Sequence, residues 1–199
     1  MLRTRVIPTL LLQDGGLVKT IKFANPSYVG DPINAVRIFN EKEVDELVLL
    51  DITASKERRE PNYDLIADIV SEAFMPIGYG GGVSRADQAQ KLVSMGIEKI
   101  SFNSAALDGW DVIRETSAML GSSSTLVSID VSRDWRGRYR VYDPRNRKNT
   151  KVDLMAHVQG AVDAGAGELF INDVSRDGTG KGYDLALVQQ ICDAVEVPV

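Results

Sequence analysis

The sequence lacks the residues on which several classes of protein depend. Its 199 residues include one cysteine, Cys192, and one histidine, His157. An internal disulfide and a histidine-rich metal site are therefore excluded. No apolar run is long enough for a transmembrane helix or resembles a signal peptide, so we expect a soluble, cytoplasmic protein. His157 lies in a predicted helix, where we expect a surface or half-buried residue without a catalytic role.

Positive charge is also scarce, because 23 Lys and Arg residues face 28 Asp and Glu residues, for a net charge of -5. Nucleic acids and acidic membranes select basic surfaces, so neither is an expected partner. The carboxylates have no His or Cys beside them, which leaves at most a weak site for a hard cation, and we expect no metal or cofactor. With 44% hydrophobic residues the chain can bury a core, and its length favours one domain.

What the sequence does contain is a regular alternation of strands and helices. Apolar, β-branched runs predict six strands, at 5–12, 46–52, 76–79, 97–102, 127–134 and 168–174. Apolar spacing and capping residues predict the helices between them, with Asp31, Ser84 and Asp184 as caps. The helical stripe after the second strand comprises Leu65, Ile66, Ile69, Val70, Ala73 and Phe74. Residues 137–142 alternate like one arm of a hairpin, and 197–199 begin a seventh strand.

Such spacing suits right-handed parallel crossovers and predicts an α/β fold, a (β/α)8 TIM barrel rather than an open sheet. We expect a single barrel domain over residues 1–199 that is incomplete at its C-terminus, after the start of strand 7. Residues 46–51 resemble 168–173, which indicates two duplicated half-barrels. In that repeat Leu11 corresponds to Asp130.

Three of the predicted strands end in an aspartate, and in a parallel barrel that end carries the chemistry. The three are Asp51, Asp130 and Asp173. Asp130 could act as a general acid or base, with burial and nearby carboxylates raising its pKa toward neutrality. The alternative is a carboxylate that only caps a loop. Lys19 and Asp177 are expected at the same barrel mouth.

Two stretches have the properties of phosphate-binding sites. Gly80 to Gly82 follow a strand and precede a helix, so backbone amides could approach an anion closely, although a plain tight turn fits equally well. Asn103 and Ser104 would add donors, or would be an ordinary helix cap. Residues 177–179 offer the same groups in the other half. Two such sites across one mouth imply an elongated ligand with a phosphate at each end.

The opposite end of the barrel is predicted to carry charges of alternating sign. Four such residues stand at or near strand starts, namely Arg5, Glu46, Lys99 and Glu168. A ring of ion pairs that stabilises the core is one interpretation, since residues at this end usually serve stability. A gate on an axial channel is the other.

Together these motifs resemble the cyclase subunit of imidazole glycerol phosphate synthase, and the match runs along the whole chain. The segments that carry it are Asp14-Gly15, Gly30 to Pro32, Asp45 to Leu47, Leu50 to Ser55, Gly80 to Gly82, Lys99, Asn103 to Ala106, Ser128 to Asp130, Arg176 to Thr179 and Gly182 to Asp184. The resemblance implies a lyase of histidine biosynthesis that converts a bisphosphorylated ribulosyl aminoimidazole carboxamide ribotide to imidazole glycerol phosphate and AICAR. It also implies a heterodimer with a glutaminase at the barrel bottom, whose ammonia travels up the barrel axis.

Carried over residue by residue, the resemblance implies a role for each candidate. One phosphate site is matched by Gly82, Asn103 and Ser104, and part of the other is matched by Asp177, Gly178 and Thr179. Ligand positions at the mouth are matched by Lys19 and Asp51, and the ammonia gate is matched by Arg5, Glu46, Lys99 and Glu168. Asp130 matches one of two catalytic aspartates. The second aspartate is replaced by Leu11, which can neither donate nor accept a proton. A missing general catalyst costs about 10²–10⁴ in rate.

Three interpretations of this replacement remain open. The chain could be a cyclase of reduced activity that uses Asp130 together with Lys19 or a water. It could be a paralogue that passes glutaminase-derived ammonia to other chemistry, such as sugar amidation in surface-polysaccharide synthesis. It could also be a non-enzymatic subunit that only activates its glutaminase.

Overall fold

A computed structural model describes residues 5–199. In chain order its strands are β1 (Thr9–Gln13), β2 (Gly16–Ile21), β3 (Ala24–Gly30), β4 (Leu47–Asp51), β5 (Ile77–Gly80), β6 (Lys99–Phe102), β7 (Thr125–Arg133), β8 (Tyr139–Asp143), β9 (Lys148–Asn149) and β10 (Glu168–Asp173). Its helices are α1 (Pro32–Glu41), α2 (Ala54–Glu57), α3 (Tyr63–Glu72), α4 (Ala86–Ser94), α5 (Ser104–Asp108), α6 (Asp111–Leu120), α7 (Leu154–Asp163) and α8 (Leu185–Cys192).

Six of these strands form the parallel frame of the fold. β1, β4, β5, β6, β7 and β10 lie side by side in that order, and every pair is parallel. Each connection to the next parallel strand contains at least one helix, as parallel neighbours require. The six strands and the β/α-barrel fold predicted from the sequence are confirmed. Beyond β10, the Leu169 amide donates to the Pro198 carbonyl at 2.9 Å, where the seventh strand was predicted to begin.

Side chains on the two faces of this sheet differ sharply in character. Residues paired in register point to the same face, and alternate residues point to opposite faces. The helix-facing side is apolar and almost fully buried: Leu47, Leu49, Ile77, Tyr79, Ile100, Phe102, Val127, Ile129 and Leu169. The inner face is mixed: it carries the small and polar residues Gly78, Gly80, Ser101, Ser128, Asp130 and Asn172 and also the apolar residues Leu11, Val48, Leu50, Leu126 and Phe170. The hydrophobic core therefore lies between sheet and helices, and polar chemistry is left to the barrel interior.

Two antiparallel hairpins extend the parallel strands beyond the mouth. The predicted arm at 137–142 is present as β8, which pairs with the end of β7. The hairpin of β2 and β3 was not predicted, since neither strand is among the six expected from the sequence. Asp14 and Gly15 both have positive φ, 51° and 80°, and connect β1 directly to β2. Two such residues are typical of the tight turn that joins hairpin strands.

Two of the three predicted helix caps are present, and one is not. Asp31 caps α1 by accepting from the Asn34 amide at 3.0 Å, and Asp184 caps α8. The prediction that Ser84 caps the next helix was wrong. Helix α4 begins at Ala86, and the Gln88 side chain instead accepts from the Ser84 and Arg85 amides.

The predicted apolar stripe of α3 was correct in its middle and wrong at its end. Ile66 and Ile69 are buried, but the helix ends at Glu72 and Phe74 is 88% exposed. His157 does lie in a helix, α7, yet it is buried against Trp110, with 4.8 Å between ring centroids. Burial lowers the pKa of His157 to about 4, so the ring is neutral at pH 7.

Candidate active site at the barrel mouth

A buried carboxylate, Asp130, lies on the inner face of β7 near the mouth of the barrel. It is 3% exposed. Its Oδ2 accepts from the Asn103 side-chain amide at 2.8 Å, and its Oδ1 accepts from the Asn172 side-chain amide at 3.0 Å. The two asparagines come from the neighbouring parallel strands on either side, β6 and β10. Both oxygens of Asp130 are therefore held by neutral donors.

These surroundings shift the pKa of Asp130 toward physiological pH. Burial raises its pKa from 3.8 to about 6, while the two amide hydrogen bonds act in the opposite direction. The carboxylates of Asp177 and Asp143 add a smaller upward contribution. A buried carboxyl with such a pKa can both accept and donate a proton near neutral pH, as a general acid or base must.

Leu11 occupies the inner face of β1, on the same side of the sheet as Asp130. It pairs in register with Leu50 of β4 and is partly exposed. Its side chain therefore points into the barrel interior where the sequence repeat places the counterpart of Asp130.

The glycines after β5 border the first predicted phosphate site. A Cβ on Gly80 would lie 2.9 Å from both Leu50 and Ser101, so only glycine fits between these strands. Gly81 and Gly82 have φ of 119° and 74°, which favour glycine. The Gly82 amide donates to Ser55 Oγ at 3.3 Å, so an anion would have to compete with that hydroxyl.

Gly82 and Ser104 line one cleft of about 820 Å³ whose walls are rich in cations. Ser104 is the first residue of α5, where backbone amides have no intrahelical partner. Basic side chains around the cleft are Lys56, Arg58, Arg59, Arg85 and Arg145. Asn103 does not line this cleft, because its side chain turns to Asp130. Arg59, Arg85 and Arg145 are ion-paired with carboxylates, and Glu60 and Asp108 of these pairs also line the cleft, so an anionic ligand would have to compete with them.

The second predicted phosphate site is engaged in a structural contact. The Asp177 carboxylate accepts from Thr20 Oγ1 at 2.8 Å and from the Phe23 amide at 3.0 Å. Gly178 has φ of 64° and packs against the Thr20 carbonyl so closely that a Cβ would clash. The Thr179 hydroxyl donates to the Arg176 carbonyl within the same loop. We refer to the contact of Asp177 and Gly178 with Thr20 and Phe23 as the hairpin latch.

The two remaining candidates at the mouth differ in their surroundings. Asp51 accepts from the Thr53 and Ala54 amides and forms an ion pair with Arg59 at 3.2 Å, so its carboxylate orders the loop after β4. Lys19 is exposed on β2. The structure thus brings Asp130 and Asn103 together and places Asp51 in a separate ion pair.

At the opposite end, the four predicted charges form a closed ring. Arg5 contacts Glu46 at 2.8 Å and Glu168 at 2.9 Å. Lys99 contacts the same two carboxylates at 2.9 and 2.6 Å. The Glu46 side chain is 6% exposed and that of Lys99 is 16% exposed. We call Arg5, Glu46, Lys99 and Glu168 the bottom ring.

Two residues of the mouth, Asn172 and Arg145, were not predicted from the sequence. Arg145 lines the cleft and is held by Asp143 and Asp108 at 3.1 and 2.7 Å. Asn172 was passed over in favour of the neighbouring Asp173. Asn172 could have been predicted from the two-residue period of a strand, because steps of two residues from Glu168 lead along the inner face to Asn172. Steps of two residues from Lys99 lead in the same way to Asn103.

Two features are absent from the described part of the chain. Within residues 5–199, no group of three or more His, Cys, Asp or Glu side chains is arranged to hold a metal ion. In the same range, no helix is both long and apolar enough to cross a membrane.

The fold and the mouth define a β/α-barrel protein with a buried carboxylate and an adjoining cationic cleft. The chain belongs to the histidine biosynthesis protein family, whose model matches residues 5–199. It is 51% identical over its whole length to a Pseudomonas aeruginosa protein named "Putative imidazole glycerol phosphate synthase subunit hisF2", covering 79% of that protein. A Leptospira interrogans protein named "Putative imidazole glycerol phosphate synthase subunit HisF" is 46% identical over the whole chain, again with 79% covered. The imidazole glycerol phosphate synthase subunit of Petrotoga mobilis is 38% identical at the same coverage.

Proposed function

We propose that the chain is a cyclase-type subunit of imidazole glycerol phosphate synthase, a lyase of histidine biosynthesis. The substrate would be a bisphosphorylated ribulosyl aminoimidazole carboxamide ribotide, and the products would be imidazole glycerol phosphate and AICAR. The observation that carries the proposal is Asp130, buried at the mouth with a pKa of about 6. Family membership and the names of the relatives support the same reaction.

Asp130 is the proposed general acid or base. Ammonia adds to the ribulosyl carbonyl, the imidazole ring closes, and a C–N bond breaks, so protons must be moved between nitrogen and oxygen atoms. A group whose pKa lies near the working pH is best suited to accept and return them. The two asparagines hold the carboxylate in place for this transfer.

The cationic cleft is the proposed site of one substrate phosphate. Gly82 and Ser104 supply the backbone and hydroxyl groups, and α5 begins at that point. Lys19 and Asp51 remain proposed ligand contacts at the mouth. Asp177, Gly178 and Thr179 remain the proposed part of a second phosphate site, which would require the hairpin latch to rearrange or to share its donors with the ligand.

We propose further that the bottom ring is an ammonia gate covered by a glutaminase partner. Glu46 and Lys99 are nearly buried at the start of their strands, where a ring of ion pairs can close the barrel axis. Exposed apolar residues lie at the same end: Val6 is 72% exposed, Phe74 88% and Met119 49%. Such residues fit a protein interface better than water. Arg5 and Glu168, joined from distant parts of the sequence, support treating residues 1–199 as one barrel domain.

A specific observation favours the second candidate, a paralogue that delivers ammonia to other chemistry such as sugar amidation. Leu11 places an apolar side chain on the inner face where a second proton-transfer group is expected. The bottom ring, in contrast, is complete. A chain that kept the ring but lost one catalytic group would still conduct ammonia.

The deciding experiment combines the purified full-length subunit, its glutaminase and the ribotide, and measures formation of imidazole glycerol phosphate. Turnover within about tenfold of an aspartate-containing relative would support the cyclase. Glutamine hydrolysis without product would favour the paralogue or the activating subunit. Ammonium salt in place of glutamine separates failure of the chemistry from failure of delivery, and Asp130→Asn provides the inactive control.

A further inference from the structure

Two asparagines within residues 5–199 donate to Asp130: Asn103 donates to its Oδ2 atom, and Asn172 donates to its Oδ1 atom at 3.0 Å. Asn172 is paired in register with Asp130, so the two side chains leave adjacent strands on the same inner face. The side-chain amide of Asn172 makes no other hydrogen bond to a described residue. The position is therefore used for the carboxylate alone.

The groups around Asp130 act on its ionisation in opposite directions, and the hydrogen bond from Asn172 is one of two contacts that favour the ionised form. Asp177, in the loop after β10, and Asp143, on β8, both disfavour ionisation of Asp130. Asn103, after β6, and Asn172 favour it. Within residues 5–199 no lysine or arginine forms a hydrogen bond or an ion pair with Asp130. The ionised carboxylate is thus stabilised by two neutral amides and by no cation among these residues.

We propose that Asn172 is a positioning residue, which fixes the orientation of the Asp130 carboxylate and sets its proton affinity. The part that Asn172 plays in catalysis rests on the proposed function, whereas its effect on the orientation and proton affinity of the Asp130 carboxylate does not. A cation at position 172 would favour the ionised form of Asp130, and an apolar residue would favour its protonated form. A neutral donor keeps both protonation states accessible, which matters most in a chain whose other candidate position is Leu11.

Asn172 gives a cleaner test than Asn103. Asn103 also precedes α5, so its replacement would disturb Ser104 and the cleft together with Asp130. Asn172→Leu is close to isosteric and removes the donor. Asn172→Asp keeps the shape but replaces the donor by a second acceptor with charge, and it serves if the leucine variant does not fold.

The test is a titration of the Asp130 carboxyl carbon by ¹³C NMR in the full-length subunit. We expect the midpoint in both variants to rise by about one pH unit, a tenfold increase in proton affinity, because an ionised acceptor loses a hydrogen bond. Asn40→Leu is the matched control, since the Asn40 amide donates to the Glu72 carbonyl at the far end of the barrel. It should leave the midpoint in place. An unchanged midpoint in both Asn172 variants would overturn the inference.

Kinetics separate this inference from the proposed function. If the protein makes imidazole glycerol phosphate, the acidic limb of kcat/KM should move upward with the NMR midpoint in the Asn172 variants, with KM little changed. A shifted midpoint in a protein without cyclase activity would support the role of Asn172 and refute the proposed function. Product formation with an unmoved midpoint would support the proposed function and refute the role of Asn172.

Discussion

Leu11 and Asp130 lie on the same inner face of the barrel sheet, on the first and fifth of its six parallel strands. The register that connects them runs from Leu11 through Leu50, Gly80 and Ser101 to Leu126, four residues before Asp130 on β7. An even number of steps along each strand keeps the side chains on one face. The site therefore has one ionisable group where the half-barrel repeat provides two positions.

The first prediction concerns restoration of the second carboxylate by Leu11→Asp. If the missing group limits ring closure, turnover with ammonium salt should rise by about 10²-fold or more, the usual contribution of a general acid or base. The nearby negative charge should also raise the pKa of Asp130. Leu11→Asn has the same shape without a transferable proton, and a gain as large in this variant would show that polarity, not proton transfer, was missing.

The second prediction concerns the bottom ring. Lys99→Met leaves Glu46, whose side chain is 6% exposed, with Arg5 as its remaining cation. Breaking a largely buried pair costs more than breaking an exposed one, and partial exposure of Lys99 reduces the cost to about 1–3 kcal/mol in the free energy of unfolding. Urea denaturation measures this change.

A matched control for Lys99→Met is Arg37→Met. Arg37 pairs with Glu72 at 2.9 Å, but both side chains are exposed, at 57% and 37%. Its loss should cost less than the loss of Lys99, because water screens an exposed ion pair. Equal losses in the two variants would contradict a special role for the ring. If the ring is also a gate, only Lys99→Met should change the ratio of glutamine-dependent to ammonium-dependent turnover.

The third prediction concerns the hairpin latch. Asp177→Ala removes the acceptor for Thr20 Oγ1 and the Phe23 amide, which tie the β2–β3 hairpin to the loop after β10. We expect faster hydrogen exchange in residues 16–30 and little change in the parallel strands, because local opening reports local contacts. Ser27→Ala, at an exposed position of β3 without a latch contact, is the control. Unaltered exchange in the Asp177 variant would show that the latch does not hold the hairpin.

The parallel frame could be predicted because it depends on local patterns: apolar strands, helical stripes and capping aspartates such as Asp31 and Asp184. The hairpin after β1 was missed because β3 is almost entirely exposed, which leaves no alternation of buried and exposed residues to detect in residues 24–30. Phe74 was assigned to a buried stripe because periodicity cannot show where a helix ends. Its 88% exposure follows from the chain turning out of α3 two residues earlier.

The candidate site was only partly predictable, for a related reason. Asp130 and the charges of the bottom ring follow from strand position. The engagement of Asp51 with Arg59, and of Asp177 with Thr20, depends on which side chains meet across loops. That information is not contained in the spacing of a single sequence. Asn172 was accessible from strand period, but only once the inner face was known.

The final prediction is a gain of stability at the expense of activity in Asp130→Asn. The pKa of Asp130 is raised in the folded protein to about 6 from 3.8. Its contribution to the free energy of unfolding is therefore fully present below pH 3.8 and is lost as the pH rises through 6. Above that range the folded protein carries the cost of a buried charge, at most about 3 kcal/mol for this difference in pKa.

Replacement by asparagine removes the charge, and Asn103 or Asn172 can turn its amide to present an oxygen to the new NH2 group. We expect Asp130→Asn to unfold at a higher urea concentration than the parent at pH 7.5. The free energy of unfolding should be larger by about 1–3 kcal/mol, and this difference should shrink at pH 4.5. Asp68→Asn, on the exposed face of α3, should show no such trend. A difference between Asp130→Asn and parent that does not depend on pH would mean that Asp130 titrates at its ordinary value, and its assignment as the acid or base of the mouth would lose its physical basis.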